Sequence, residues 1–175
     1  MSGRCSGVVI AVIALLVSAG RADRRRDPLN QNEIDQLRDA AQDPEQRLKL
    51  FVSFARARLT AIEQTRSDPK ATERAQKAHD QLQDFLDIYD EMNDNLDTFV
   101  ERKADLRKPL KIVIQADAEF QARLRAWKSA PDAPAAEASQ YEFLLNTALV
   151  TVDTSVADHR QLLAEQEEAA KHKKK

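Results

Sequence analysis

From Ala71 to Leu106 the inward-type positions are Ala71, Ala75, Ala78, Leu82, Phe85, Tyr89, Met92, Leu96, Phe99 and Leu106, in steps of four and three residues broken in character only at Lys103. That spacing keeps one side of an α-helix apolar and predicts a helix packed against other helices. Upstream, Leu48, Val52, Ala55, Leu59 and Ile62 repeat the pattern, widened by Phe51 and Phe54. Asp43-Pro44-Glu45-Gln46 places a capping acid before a first-turn proline, so a helix should begin there and stop near Ser67-Asp68-Pro69. Asp68-Pro69 is expected to cap the following helix in the same way. The short link makes these two helices antiparallel. A shorter amphipathic stretch, Asn32 to Ala41, offers Ile34 and Leu37 to the core.

Beyond Leu106 the seam continues as Leu110, Val113, Asp117, Phe120, Leu124 and Trp127, with Pro109 inside it. Proline in a helix interior costs about 3 kcal/mol, so the chain either turns between Lys103 and Pro109 or kinks there. A turn closes the bundle and covers both sides of the broad apolar stripes; a kink leaves one side of each hairpin wet. Ser129 to Ser139, with Pro131, Pro134 and an alanine run, reads as a loop. The last helix runs from about Ala138 to Lys171 on a seam of Tyr141, Leu145, Ala148 or Leu149, Val152, Val156, His159 and Leu163. Folding about the loop sets Leu124 against Leu145, Phe120 against Leu149 and Val113 against Val156. The fold class expected is all-α, an antiparallel bundle of four main helices in a closed up-down arrangement. The alternative is an elongated, coiled-coil-like pair of hairpins on one long helix kinked at Pro109.

Composition narrows the function classes. Charged residues make up 32% of the 175 and aromatics 5%, which favours helices. The three glycines are Gly3, Gly7 and Gly20, so the body lacks the residue on which P-loops, dinucleotide-binding turns and nucleophile elbows depend. A formal net charge of −2 gives no global attraction to nucleic acid, and none is expected as a partner. Cys5 is the single cysteine, which leaves the chain no internal disulfide and no thiolate metal site.

Residues 1–22 resemble a secretory signal: a basic start at Arg4, an apolar run from Val8 to Val17, and small residues suited to cleavage after Ala19 or Ala22. Arg21, Arg24, Arg25 and Arg26 follow the run and oppose translocation, but the run is shorter than the roughly 20 residues a membrane anchor needs. Residues 23–42 then form a charged, flexible arm and the short helix, and 43–175 a single bundle domain ending in a polar, lysine-rich stretch.

No motif specifies a reaction. Asp80, Asp84, Asp87, Glu91 and Asp94 line one side of the central helix, either as a divalent-cation or docking strip or as a solvated face balanced by Arg47, Lys49, Arg56 and Arg58. The solvated face is the favoured reading, because a calcium site usually needs a tight loop. The three histidines lack the Glu-x-x-His pairing of di-metal bundles. Met92 and His159 both sit on seams, as haem ligands would, but the closed arrangement separates them by about ten residues, ~15 Å along the axis. No cofactor is therefore expected, and His159 reads as a satisfied seam histidine. Tyr89, Trp127 and Tyr141 read as core rather than as a pocket. Lys171, Lys173, Lys174 and Lys175 offer at most a weak contact with an anionic membrane surface. Together these features predict an exported, periplasmic or extracellular, non-enzymatic protein. Its role would be protein–protein interaction, self-association or structure in the cell envelope. The alternative is a small-ligand or metal-binding bundle.

Overall fold

Five helices account for most of the residues described by the computed structural model, 26–68, 70–130 and 134–172: α1 (Gln31–Asp39), α2 (Pro44–Ser67), α3 (Arg74–Glu101), α4 (Arg107–Ser129) and α5 (Ala135–His172). The fold is an all-α bundle. The proposed signal segment, Pro69, Pro131 and Lys173 to Lys175 lie outside the described residues.

The helix starts follow from local hydrogen-bond chemistry. Asn30 opens α1 with a reciprocal cap: its Oδ1 accepts the Glu33 N–H at 3.0 Å, and Glu33 Oε2 accepts the Asn30 N–H at 2.9 Å. Asp43 Oδ1 accepts the Gln46 N–H at 3.0 Å at the start of α2, where Pro44 takes a position whose missing N–H has no partner to lose. The expected cap at Asp68 is not used for α3. Asp68 instead ends α2, and its Oδ1 accepts the Lys70 N–H at 2.9 Å, which turns the chain locally. Helix α3 therefore starts late, at Arg74, behind Glu73 in the left-handed region at φ 55°.

The turn after α3 resolves the choice at Pro109. Lys103 adopts φ 57°, while the Ala104 N–H reaches Phe99 O at 3.0 Å and the Lys103 N–H reaches Val100 O at 2.9 Å. This pair of bonds ends a helix with a left-handed residue, usually glycine. The lapse in the apolar seam is thus the helix stop itself. Pro109 falls in the first turn of α4 and interrupts nothing.

Contacts close a ring in which α2 touches α3 and α4, and α5 touches α3 and α4. Alternation is up-down, yet α3 and α4 face each other across the diagonal, bridged by residues 102–106. Five extended residues reach about 17 Å, enough to cross a bundle of helices packed 8–10 Å apart. The neighbours α2 and α4 therefore run parallel, as do α3 and α5. Arg56 bonds Glu119 and Arg123 bonds Glu63 and Thr60; Arg74 bonds Glu137 and Asn93 bonds Ser155. The turn expected between Lys103 and Pro109 is present, and it spans a diagonal of the bundle.

Two further readings are corrected. The alanine run expected in the loop joins α5, which starts at Ala135, because alanine favours helix as soon as Pro134 has been passed. The described part of the charged arm is not free: Leu29 is buried, the Pro28 carbonyl accepts from Arg58 at 2.6 Å, and Arg26 pairs with Asp84. Helix α1 packs on α2, held there by an ion pair from Arg58 to Glu33 at 2.6 Å.

Candidate functional site

The middle of the bundle contains polar chemistry in an otherwise apolar core. Seam positions of α3, α4 and α5 bring Tyr89, Asp117 and His159 together, and none is more than 5% exposed. The Tyr89 hydroxyl donates to Asp117 Oδ1 at 2.7 Å, and His159 Nδ1 lies 2.9 Å from Asp117 Oδ2. His159 Nε2 stands 3.2 Å from Asn93 Oδ1, and the Asn93 amide donates to Ser155 Oγ at 3.1 Å. Burial, and then the neighbouring carboxylate, push the Tyr89 phenol well above its ordinary value, so it remains a donor. Phe85 and Phe120 pack on the Tyr89 ring at centroid separations of 5.8 and 6.2 Å.

Each member of the cluster has a partner within it. Both ring nitrogens of His159 are engaged, and the arrangement accommodates either charge state of the ring. With both nitrogens protonated, Nδ1–H donates to Asp117 and Nε2–H to Asn93 Oδ1. Turning the Asn93 amide over lets it donate to a neutral Nε2 and accept from the Ser155 hydroxyl. The open grooves beside Arg74 and Tyr141, Asp105 and Glu167, Arg123 and Trp127, Val100 and Gln166, and Asp27 and Glu91 are not lined by members of this cluster. Buried polar groups must be paired, so they admit fewer arrangements than apolar contacts do.

The cluster pairs α4 and α5 at a level other than the one the seams suggest. The expected pairing of Phe120 with Leu149 and Val113 with Val156 puts Val152 level with Asp117; the structure puts His159 there, seven residues on. Gln121 likewise bonds Asp153 at 2.7 Å, and Lys111 pairs with Glu167 at 3.1 Å. A shift of one heptad turns a helix by only about 20°, so the apolar seam fits both registers. Only one of them pairs Asp117 with His159. It also places His159 beside Asn93, next to Met92 in sequence, so the ~15 Å axial separation expected between Met92 and His159 does not hold.

The acidic strip lies on the outer side of α3. Asp84 pairs with Arg26, Asp80 accepts from Gln76 at 2.7 Å, and Asp87 accepts from Gln83 at 2.8 Å. Glu91 and Asp94 line an open groove with Arg26, Asp27, Pro28, Asp87 and Asp90. Partial burial raises the Asp84 and Glu91 carboxyls above their ordinary values; Arg26 opposes this at Asp84, and Arg47 at Glu91. The expected balance from α2 is only partly present. Arg47 and Arg58 attract Glu91 and Asp84, whereas Lys49 pairs with Glu45 and Arg56 with Glu119. Among the described residues no group of three or more His, Cys, Asp or Glu side chains is placed to hold a metal ion.

At the end of the bundle where α2 gives way to α3, Trp127 and Tyr141 pack at 4.9 Å, with Arg66 over the indole at 5.2 Å. Tyr141 also lines an open groove with Arg66, Arg74 and Glu137. At the opposite end Lys171 pairs with Glu168 at 3.1 Å. No described helix is long and apolar enough to cross a membrane. On the outside of α5, Phe143 is 79% exposed and Val150 66%. Sequence reasoning, occupied with the inward seam, passed over both, although two apolar residues a heptad apart and off that seam are a readable signal.

No protein-family model, characterised protein or solved structure matches the chain.

Proposed function

We propose that this chain is a non-enzymatic helical interaction protein that acts after export, in the periplasm or outside the cell. One contrast carries the reading. Tyr89, Asp117, His159, Asn93 and Ser155 bond to one another in the middle of the bundle, while Phe143 and Val150, large apolar side chains, stand on the outside of the longest helix. A site that turns over substrate needs polar groups converging where a substrate can reach them. A surface that binds a partner needs apolar groups in the open. Export is supported by the run Val8 to Val17 followed by cleavable small residues.

Crosslinking mass spectrometry on natively expressed protein tests both parts. The reading expects recovery from an exported fraction, with a new N-terminus after Ala19 or Ala22, joined to a protein partner. Recovery only from the cytoplasm with Met1 intact would overturn export. Purified protein carrying stoichiometric metal or a chromophore would overturn the interaction reading in favour of a ligand-binding bundle.

A further inference from the structure

A groove of about 310 Å³ opens at the end of the bundle where α2 gives way to α3 and α5 begins. Small-molecule sites occupy roughly 300–1,000 Å³, so this one suits a small ligand. Alanines make the room, since Ala75 and Ala78, both buried, leave space that larger side chains would fill. Tyr141 forms a wall and packs on Trp127 at 4.9 Å.

The fold leaves two polar groups of the lining without partners. Tyr141 is only 6% exposed, yet its hydroxyl makes no hydrogen bond to a described residue. Arg66 is half-buried, with its guanidinium over the Trp127 indole at 5.2 Å, and pairs with no carboxylate among the described residues. The other charges of the lining are paired. Glu63 accepts from Arg123 twice at 2.8 Å, and Arg74 meets Glu137 at 3.3 Å.

Both unpartnered groups are donors, so a ligand that completes them must supply acceptors, and Arg66 favours acceptors that carry negative charge. A phosphate monoester would bring a charge of about −1.5 to −2 beside Glu63 and Glu137. A carboxylate brings a single charge, which matches Arg66. The aromatic wall and the alanine floor suit an apolar body behind the carboxylate. We infer that this groove binds a small organic acid, with its carboxylate on Arg66 and the Tyr141 hydroxyl and its apolar body against Ala75 and Ala78. The site adds a ligand to the interaction reading above and does not depend on it.

Trp127 is the single tryptophan of the chain, so its emission reports occupancy of the groove. Phenylacetate titrated into the full chain at fixed ionic strength should change that emission saturably. Neutral phenylacetamide and inorganic phosphate should bind about tenfold more weakly or worse. Arg66→Gln removes the charge without breaking an ion pair and should weaken phenylacetate by about tenfold; Tyr141→Phe removes only the hydroxyl and should weaken it by about threefold. Arg66 touches the fluorophore, so isothermal titration calorimetry measures the variants, and circular dichroism checks that they are folded. Arg125→Gln, at an arginine outside the groove that pairs with Asp153, should bind as the wild type does. A response that does not saturate, equal affinity for phenylacetamide, tighter binding of phosphate, or wild-type affinity in both groove variants overturns the inference. An equal loss in Arg125→Gln would reduce the binding to general attraction of anions and overturns it too. A tripeptide ending in phenylalanine separates the sources of the acid. If it competes with phenylacetate, and amidation of its C-terminus abolishes the competition, the carboxylate belongs to the end of a chain; if it does not compete, the ligand is a free acid, and the site stands in both cases.

Discussion

Replacing Asp117 with alanine should be among the most damaging single changes in this protein. The carboxylate is fully buried, accepts the Tyr89 hydroxyl at 2.7 Å and faces His159 Nδ1 at 2.9 Å. Alanine leaves two donors without partners in the core, at about 1–3 kcal/mol each, or about 2–6 kcal/mol together. That bracket includes the roughly 3–5 kcal/mol typical of breaking one half of a buried pair. Against a total stability of about 5–15 kcal/mol for a domain, the variant should melt about 4–24 °C lower, at roughly 2–4 °C per kcal/mol for a chain of this length. Urea denaturation followed by circular dichroism at neutral pH measures the loss, with the dependence on urea unchanged if both states keep their compactness. A companion variant, Asp117→Leu/His159→Leu/Tyr89→Phe, removes the donors together with the acceptor and should recover most of the stability. A cost below about 0.5 kcal/mol for Asp117→Ala, the size expected of an ordinary surface change, would refute the reasoning. So would a triple variant as unstable as the single one.

Lys103 adopts a left-handed conformation at φ 57°, so Lys103→Gly should stabilise the bundle by about 0.5–1 kcal/mol; thermal denaturation with an unchanged or lower midpoint would speak against the turn after α3. Glu33 is buried, which would raise its carboxyl, but the Arg58 guanidinium and the Asn30 N–H together hold it below the ordinary value of 4.5. A depressed acid contributes stability that is fully present above its unfolded value and lost as pH falls through its folded value. Glu33→Gln should therefore lower stability at pH 7 and flatten the pH profile below about 4.5, and a profile with unchanged slope there would contradict the Arg58–Glu33 contact.

The helices were legible where local chemistry decides them. Asp43 and Pro44 cap and open α2 as their types and positions indicate, and the seam residues from Ala75 to Phe99 are buried on the side their spacing assigns, whereas Asn30, assigned to the arm, caps α1. What escaped were choices between arrangements that the same local pattern fits. Asp68 could cap the next helix or close a turn, and it closes a turn. Residues 102–106 could join neighbours or cross a diagonal, and loop length does not separate the two. The heptad repeat left the level of α5 open. Its resolution lay in two polar residues on inward seams, Asp117 and His159, each visible in the sequence but not read as a pair. The acidic strip is legible as one side of α3, while its partner Arg26 is not, because a charged stretch without periodicity gives no sign of packing on the bundle.

The claim on which the fold account rests is that the buried polar cluster, and not the apolar seam, selects the level of α5. Cysteine pairs joined by a short thiol-reactive crosslinker report that level directly, in a Cys5→Ser background. Gln121→Cys/Asp153→Cys samples the register in which these side chains bond at 2.7 Å, and Gln121→Cys/Asn146→Cys samples the one a heptad away. With the cluster intact only the first pair should crosslink; with Asp117, His159 and Tyr89 replaced by Leu, Leu and Phe, both pairs should. Crosslinking confined to the first pair after that replacement would mean that apolar packing alone sets the register, and would contradict the account.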